Sequence, residues 1–205
     1  MAKFPSGKNK LGGEMHRALL EKFLTRDRND AIPIRMKTGD RKWLAEFLGE
    51  QGFDRGAEVG VQWGYFSKVL CNRNPNIELY SIDPWLPNKM RKGRNEQKFK
   101  KATLRLAKYA CTIIRKRSLD AVNDFDDKSL DFIYIDADHH FDEVVQDIIH
   151  WMPKIRKGGV IACHDYFHFR YGGVVEAINA YTRAHHIDPW YVTWESTPTA
   201  FWFKP

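Results

Sequence analysis

The sequence predicts an α/β protein. It reads as a doubly wound, mostly parallel sheet with helices on both faces and an antiparallel hairpin at the C-terminal end. Three observations carry this. Short apolar runs alternate with amphipathic stretches from residue 40 to residue 185, the pattern of strands joined by crossover helices. Ala57-Glu58-Val59-Gly60-Val61-Gln62-Trp63-Gly64-Tyr65 reads as an apolar strand that runs into a glycine turn and then a helix. The last two apolar runs are separated by Glu195 to Thr199, with Pro198 inside, which is hairpin length.

The elements follow in order. Residues 1–12 are polar. Met15, Leu19, Leu20, Phe23 and Leu24 recur at helical spacing over residues 13–28, so an extension of residues 1–35 carries a helix and is a candidate lid. Residues 36–205 form one domain. Ile32 to Gly39 is a linker. A helix runs from Asp40 to Gln51, with Trp43, Leu44, Phe47 and Leu48 on one face, and Gly52 ends it. The strands are 57–61, 78–82, 111–115, 130–135, 160–163, 190–194 and 200–203. Between them lie helices 65–71, 95–109, one from Phe141 with an apolar stripe reaching Ile155, and one from Val174 to His185. Gly158-Gly159 turns the stripe helix into the next strand.

The chain has 205 residues and 43 % hydrophobic content, enough for one core. No run of 18 apolar residues occurs, which excludes a membrane span. The first residues lack the apolar segment of a secretory leader. Cys71, Cys111 and Cys163 show no metal spacing and read as buried or free thiols. Together these predict a cytoplasmic protein. The net charge is +7, unevenly spread: Lys89 to Arg117 holds twelve Lys or Arg and one acid, Glu96. Such a segment is either a solvated helix face or a patch for acidic partners.

In a sheet of this kind the ligand sits outside the carboxyl ends of the strands. Those ends read Glu58 and Gly60, Asp83, Ser118 and Leu119, Asp136, Asp138 and His139, and His164 and Asp165. Gly60 and Gly64 allow a sharp turn and close ligand approach. The spacing is not the Gly-x-Gly-x-x-Gly of dinucleotide binders, and Glu58 suits a cationic or hydroxyl-bearing ligand. Asp83 can accept bonds from both hydroxyls of a ribose, or cap a turn. Ser118 and Leu119 lie where an adenine ring fits, or Ser118 is an N-cap. Asp136, Asp138 and Asp165 offer hard oxygens for Mg²⁺ or Ca²⁺, and His139 and His164 would tilt the choice toward a transition metal. Alternatively His139 is a general base, or the acids cap the next helix.

Glu58-Val-Gly-Val-Gln-Trp-Gly64-Tyr65, Leu-Tyr-Ser-Ile-Asp83, Leu-Asp-Phe-Ile-Tyr-Ile-Asp136-Ala-Asp138 and Lys157-Gly-Gly-Val-Ile-Ala-Cys-His-Asp165 together resemble class I S-adenosylmethionine-dependent methyltransferases. Within these the pattern is similar to small O-methyltransferases of the catechol and caffeoyl-CoA type. The resemblance covers residues 36–205. It implies a Rossmann-like, seven-stranded sheet with a reversed last strand. It implies that Glu58, Gly60, Gly64 and Tyr65 line the methionine and ribose side of S-adenosylmethionine, that Asp83 takes the ribose hydroxyls, that Ser118 and Leu119 lie near adenine, and that Met36 and Thr38 touch the cofactor. It implies a divalent metal on Asp136 and Asp165. Two positions depart from the family pattern: Tyr166 stands where a third ligand, Asn, is expected, and His139 stands where a catalytic Lys is expected. Either His164 or His139 is then the substitute ligand, or the metal is absent altogether. The activity implied is methylation of a small-molecule hydroxyl, acidic or aromatic, with His139 or Asp138 taking the proton. The alternative is a nucleic-acid-binding protein or RNA methyltransferase that uses the basic segment 89–117. Trp85, Phe167, Phe169 and Tyr171 are candidates for packing on the acceptor. The aromatic closing hairpin is either core or the face of a homodimer.

Overall fold

The computed structural model describes residues 33–87, 93–169 and 171–205. The helix expected at 13–28 and part of the loop after Asp83 lie outside these residues. The elements are β1 (Ile34–Arg35), α1 (Arg41–Glu50), β2 (Arg55–Val59), α2 (Tyr65–Arg73), β3 (Glu78–Ile82), α3 (Arg94–Leu106), β4 (Cys111–Ile114), α4 (Ser118–Ala121), β5 (Leu130–Ile135), α5 (Phe141–Trp151), β6 (Ile155–Cys163), α6 (Val174–Ala184), β7 (Tyr191–Val192) and β8 (Ala200–Phe203). They form one mixed sheet in the order β1-β7-β8-β6-β5-β2-β3-β4. Only β8 runs against its neighbours, slotted between β6 and β7.

The sheet has eight strands, not seven. The addition is β1, expected to be linker. It pairs parallel with β7, and Met36 N–H continues the ladder to the Val192 carbonyl at 2.9 Å. Ile34 and Met36 are buried while Arg35 is exposed, the period-two pattern of a half-buried strand. A second difference is at Gly158-Gly159, which lies inside β6 rather than before it. A Cβ on Gly159 would stand 2.4 Å from the Asp131 carbonyl oxygen. The β5–β6 register shifts between Leu130 and Phe132, and this irregularity needs the missing side chain. The two short closing strands pair as an antiparallel hairpin, Tyr191 opposite Phe201.

Each helix covers the sheet for a local reason. Asp40 caps α1, accepting from the Lys42 and Trp43 amides at 2.9 and 3.0 Å. Gly52, at φ +73°, ends it. All six residues of β5 are buried, as expected of a strand covered on both faces. Ile133 and Ile135 pack with Val144, Ile148 and Trp151 of α5 and Ile178 of α6. Phe132 and Tyr134 pack on the other face with Leu44 and Leu48 of α1 and Leu70 of α2. Trp190, Tyr191, Phe201 and Trp202 are core, while Trp194 is 67 % exposed. The three cysteines are free thiols. No helix among the described residues is long and apolar enough to cross a membrane.

The registers matter most for function. Val59 pairs with Ile82 and with Ile135, and Ile135 pairs with Cys163. The next residues, Gly60, Asp83, Asp136 and His164, therefore leave the sheet at one level and form one rim.

Candidate active site

Gly60 is where the rim is tightest. Its φ is +95°, a region that L side chains rarely adopt. A Cβ there would lie 1.8 Å from the Asp136 carbonyl oxygen. The glycine is therefore required by the close approach of the adjacent β2 and β5 ends before any ligand arrives. Gly64, at φ +72°, is the N-cap of α2 and faces the backbone of Ala102. Its role is packing, and it lines neither cavity described next.

Two cavities meet at Gly60, Gln62 and Asp136. One, of about 580 Å³, is lined by Asp83, Arg117, Ser118, Leu119, Asp136 and Asp138, among others. The other, of about 340 Å³, is lined by Arg41, Lys42, Glu58, Trp63, Tyr65 and Phe66, among others. Asp83 is already busy: Oδ2 accepts from the Val61 and Gln62 amides at 3.1 and 2.9 Å, and Oδ1 from Trp85 N–H at 2.8 Å. Those bonds hold the glycine turn against β3 and leave lone pairs on the cavity side. Ser118 is the first residue of α4, and Arg117 is the cap. Its hydroxyl donates to Asp147 Oδ1 and accepts from Trp151 Nε1 at 2.8 Å, so what it offers the cavity is its backbone. Glu58 is 1 % exposed and accepts from Ser67 Oγ. Burial pushes its carboxyl up to about 8, so it is protonated at neutral pH. Thr38 is exposed and lines neither cavity. Trp85 is buried at 2 % and its Nε1 donates to the Gln62 carbonyl at 2.8 Å; it is core, not a free acceptor contact.

At the far end of the rim, Asp136, His139 and Asp165 bring one ligand atom each within 4.8 Å of one another. His139 Nε2 lies 3.1 Å from Asp165 Oδ2 and 4.0 Å from Asp136 Oδ1. His164 Nδ1 lies 3.1 Å from Asp165 Oδ1 and 3.5 Å from Asp136 Oδ1. Both nitrogens are buried, yet neither has an aligned hydrogen bond. Asp136 and then Asp165 push the His139 imidazole up to about 10 against its partial burial. The histidines hold Asp165 well below the usual carboxylate range although burial opposes it. Asp165 has φ +58°, a strained setting that aims its carboxylate back at the rim.

Arg41 decides the state of His164. Its Nη1 is 3.1 Å from His164 Nε2. A guanidinium can only donate, so Nε2 accepts and the ring proton is on Nδ1, facing the two carboxylates. Burial disfavours the charged ring, and Asp136 and Asp165 favour it enough to raise it to about 9. The guanidinium contact overrides this, because an imidazolium has no lone pair to receive it. A cation between the carboxylates would thus have to displace the His139 proton to gain its lone pair, and would face the N–H of His164.

A model of a methyltransferase domain family matches residues 57–166, more than half of the chain. The protein belongs to this methyltransferase family. The chain carries a class I S-adenosylmethionine-dependent methyltransferase domain, and the matched span runs from β2 to the residue after Asp165, taking in most of the rim. Among solved structures it is similar to the O-methyltransferase from Bacillus cereus in complex with SAH, with TM-score 0.60 and 15 % identity over 97 % of this chain and 92 % of that one. It is also similar to the N-methyltransferase NodS from Bradyrhizobium japonicum, with TM-score 0.56 and 14 % identity over 80 % and 94 %. At such identities the likeness is one of fold. A curated relative, the uncharacterized protein y4gI of Sinorhizobium fredii, is 23 % identical over 129 residues; the match spans 60 % of this chain and 14 % of that protein.

In the methyltransferase, Asp138 does not join the carboxylate cluster. Its Oδ1 accepts from the His140 amide at 2.8 Å and contacts His140 Nδ1 at 2.6 Å, forming the turn into α5. Tyr166, at the expected third-ligand position, is buried and donates to Asn179 Oδ1 at 2.9 Å. Phe169 meets the His139 ring edge-on at 5.3 Å. Three residues passed over in the sequence sit at the site: Arg41, Glu195 and Thr197. Glu195 Oε1 accepts from the Arg41 amide at 2.8 Å, and Thr197 Oγ1 is 3.4 Å from His164 Nε2. The hairpin loop brings the last two there.

Proposed function

We propose that this methyltransferase O-methylates a small-molecule hydroxyl, with a divalent cation held by Asp136, His139 and Asp165. The observation that carries the reading is the cluster of those ligand atoms at the end of the rim, with Asp136 lining the same cavity as Asp83. The donor set fits a cation: two carboxylates bring negative charge, and His139 Nε2 is a buried nitrogen without an aligned partner. One nitrogen with two carboxylates favours Mn²⁺, Fe²⁺ or Zn²⁺ over Ca²⁺. When bound, the cation would lower the hydroxyl pKa so that its proton is lost to solvent before methyl transfer, and would fix its orientation.

The chain's own residues do the rest. Asp83, Leu119 and the backbone at Ser118 hold the nucleoside end of S-adenosylmethionine; Gly60, Glu58 and Tyr65 line the methionine end. Neutral Glu58 avoids placing a buried negative charge beneath that end. His164 donates toward Asp136 and Asp165 and keeps both turned to the cation, as outer partners of metal sites do. His139 is a ligand in this scheme, so it is not the free base. Without the cation it carries a proton to about 10, which also disqualifies it as a base at neutral pH. Positioning of acceptor and methyl supplies much of the rate. Calorimetric titration of S-adenosylmethionine, followed by Mn²⁺ binding read by electron paramagnetic resonance, tests the scheme. Cofactor binding with no Mn²⁺ site that depends on Asp165 would refute the metal part.

A further inference from the structure

The sheet divides the three cysteines. Cys163, in β6, belongs to the apolar cluster that includes α5 and α6. Cys71, in α2, and Cys111, the first residue of β4, pack in the cluster on the other face. There they meet, and the Cys71 thiol hydrogen-bonds the Cys111 sulfur. The registers explain the meeting. Cys111 pairs with Leu79 of β3, and Leu79 packs with Leu70 and Cys71 of α2. Ser81, two residues along β3 and so on the same face, brings its Oγ to 3.3 Å from Cys111 Sγ. The approach to β4 is tied to α2 as well, because the Tyr109 hydroxyl donates to Asn72 Oδ1 at 2.7 Å.

The two thiols are unlike each other. The Cys71 hydrogen bond, and Ser81 after it, hold the Cys111 thiol below its usual value against partial burial. The same contact, and then burial, push Cys71 up. Cys111 is therefore the readier nucleophile. It is half-buried on the last strand of the sheet. Cys71 lines a cavity of about 270 Å³ with Asn72, Ile77, Lys108 and Tyr109, among others. Lys108 is exposed and favours an anionic visitor.

We propose that Cys71 and Cys111 are a modification site, closed into a reversible disulfide by a small anionic disulfide, and that the closed form binds the cofactor more weakly. The Cys111 thiolate attacks one sulfur of the oxidant RSSR. A mixed disulfide forms, and RS⁻ leaves and takes up a proton. Cys71 then loses its proton to solvent and attacks the Cys111 sulfur, expelling the second RS⁻. Two protein thiols and one RSSR become one protein disulfide and two RSH, so two electrons pass to the oxidant. A covalent bond brings the sulfurs closer than a hydrogen bond does, and α2 takes up the movement. That helix also carries Tyr65, Phe66 and Val69 to the smaller cavity, and Ser67, one turn before Cys71, to Glu58. The effect on binding rests on the assignment of that cavity to the methionine end of the cofactor.

The test incubates the wild-type protein with glutathione disulfide, then applies peptide mass mapping and calorimetric titration of S-adenosylhomocysteine. A cross-linked peptide pair holding Cys71 and Cys111 is expected, with Cys163 still free. Affinity is expected to fall about fivefold or more, the low end of coupling between sites, and dithiothreitol should restore it. Cys111→Ser under the same treatment should form no cross-link and keep its affinity. A glutathione adduct that never resolves to the cross-link overturns the proposal, as does a cross-link through Cys163. So does a Cys71–Cys111 disulfide that leaves affinity within about twofold. A reduced wild-type protein blind to S-adenosylhomocysteine would overturn the cofactor assignment, and this proposal with it even where the cross-link forms.

Discussion

Gly60→Ala isolates the claim that the glycine turn is dictated by the close approach of two neighbouring strand ends. The new Cβ would meet the Asp136 carbonyl oxygen at 1.8 Å, its carbon at 2.4 Å and the Ala137 nitrogen at 2.8 Å. All three are backbone. They cannot rotate away, and they are anchored: Asp136 N–H donates to the Val59 carbonyl at 2.8 Å and Gly60 N–H to Ile82 at 2.8 Å. Relief requires β2 and β5 to part at their ends. Left-handed backbone costs a non-glycine residue roughly 1–2 kcal/mol, and overpacking adds about 1–3 kcal/mol. The total, about 2–5 kcal/mol, is a large share of a stability of roughly 5–15 kcal/mol. A chain of this length loses about 2–4 °C of melting temperature per kcal/mol, so a fall of about 10 °C is expected. Gly52→Ala is the control: φ is +73°, but nothing lies within 4 Å of its Cβ. Thermal and urea denaturation of both variants compare strain alone with strain plus collision. If Gly60→Ala melts no lower than Gly52→Ala, close approach of the strand ends does not dictate the glycine. If it also fails to bind S-adenosylmethionine while equally stable, the glycine serves ligand approach instead.

Three further outcomes follow from the same geometry. Native Glu58 keeps its proton to about 8, against 4.5 ordinarily, so between those values the folded state binds the extra proton and stability falls as pH rises, by at most about 1.4 kcal/mol per unit. Glu58→Gln removes that slope; superimposable melting-temperature profiles for the two proteins would contradict it. Arg41→Met leaves His164 Nε2 without its donor, which is expected to alter the ¹⁵N shifts of that ring and weaken Mn²⁺ about tenfold or more; unchanged shifts would remove Arg41 from the site. Since Mn²⁺ must displace the His139 proton, held to about 10, its apparent affinity should rise about tenfold per pH unit around neutrality. His139→Ala should bind Mn²⁺ weakly and without that slope, and a flat wild-type profile would count against His139 as a ligand.

Much of the architecture was legible because strands and helices announce themselves by period. The apolar run of β5 and the acids at the carboxyl ends mark the rim in the sequence itself. What escaped had no local signature. Strand β1 is two residues long, too short for its alternation to stand out in the sequence, and it is held by the edge that β7 offers. Arg41 meets His164 across 123 positions and Glu195 across 154; an arginine opening a helix looks like solvated surface until the hairpin closes on it. Trp85 was placed in its loop and Ser118 just after its strand, but the direction of a side chain is set by tertiary partners. Gly64 and Gly60 were read as ligand-approach glycines, whereas Ala102 and the Asp136 backbone explain their lack of a Cβ.

The reversed strand has an effect on how the chain is made. Strand β6 is synthesised well before β8, yet its outer edge stays bare until β8 arrives, because β8 pairs with Val160 through Cys163. β7 and β1 in turn reach the sheet only through β8. A ribosome-bound chain stalled short of Ala200 would therefore display an apolar, unpaired border along β6, a natural binding site for chaperones and a hazard for self-association.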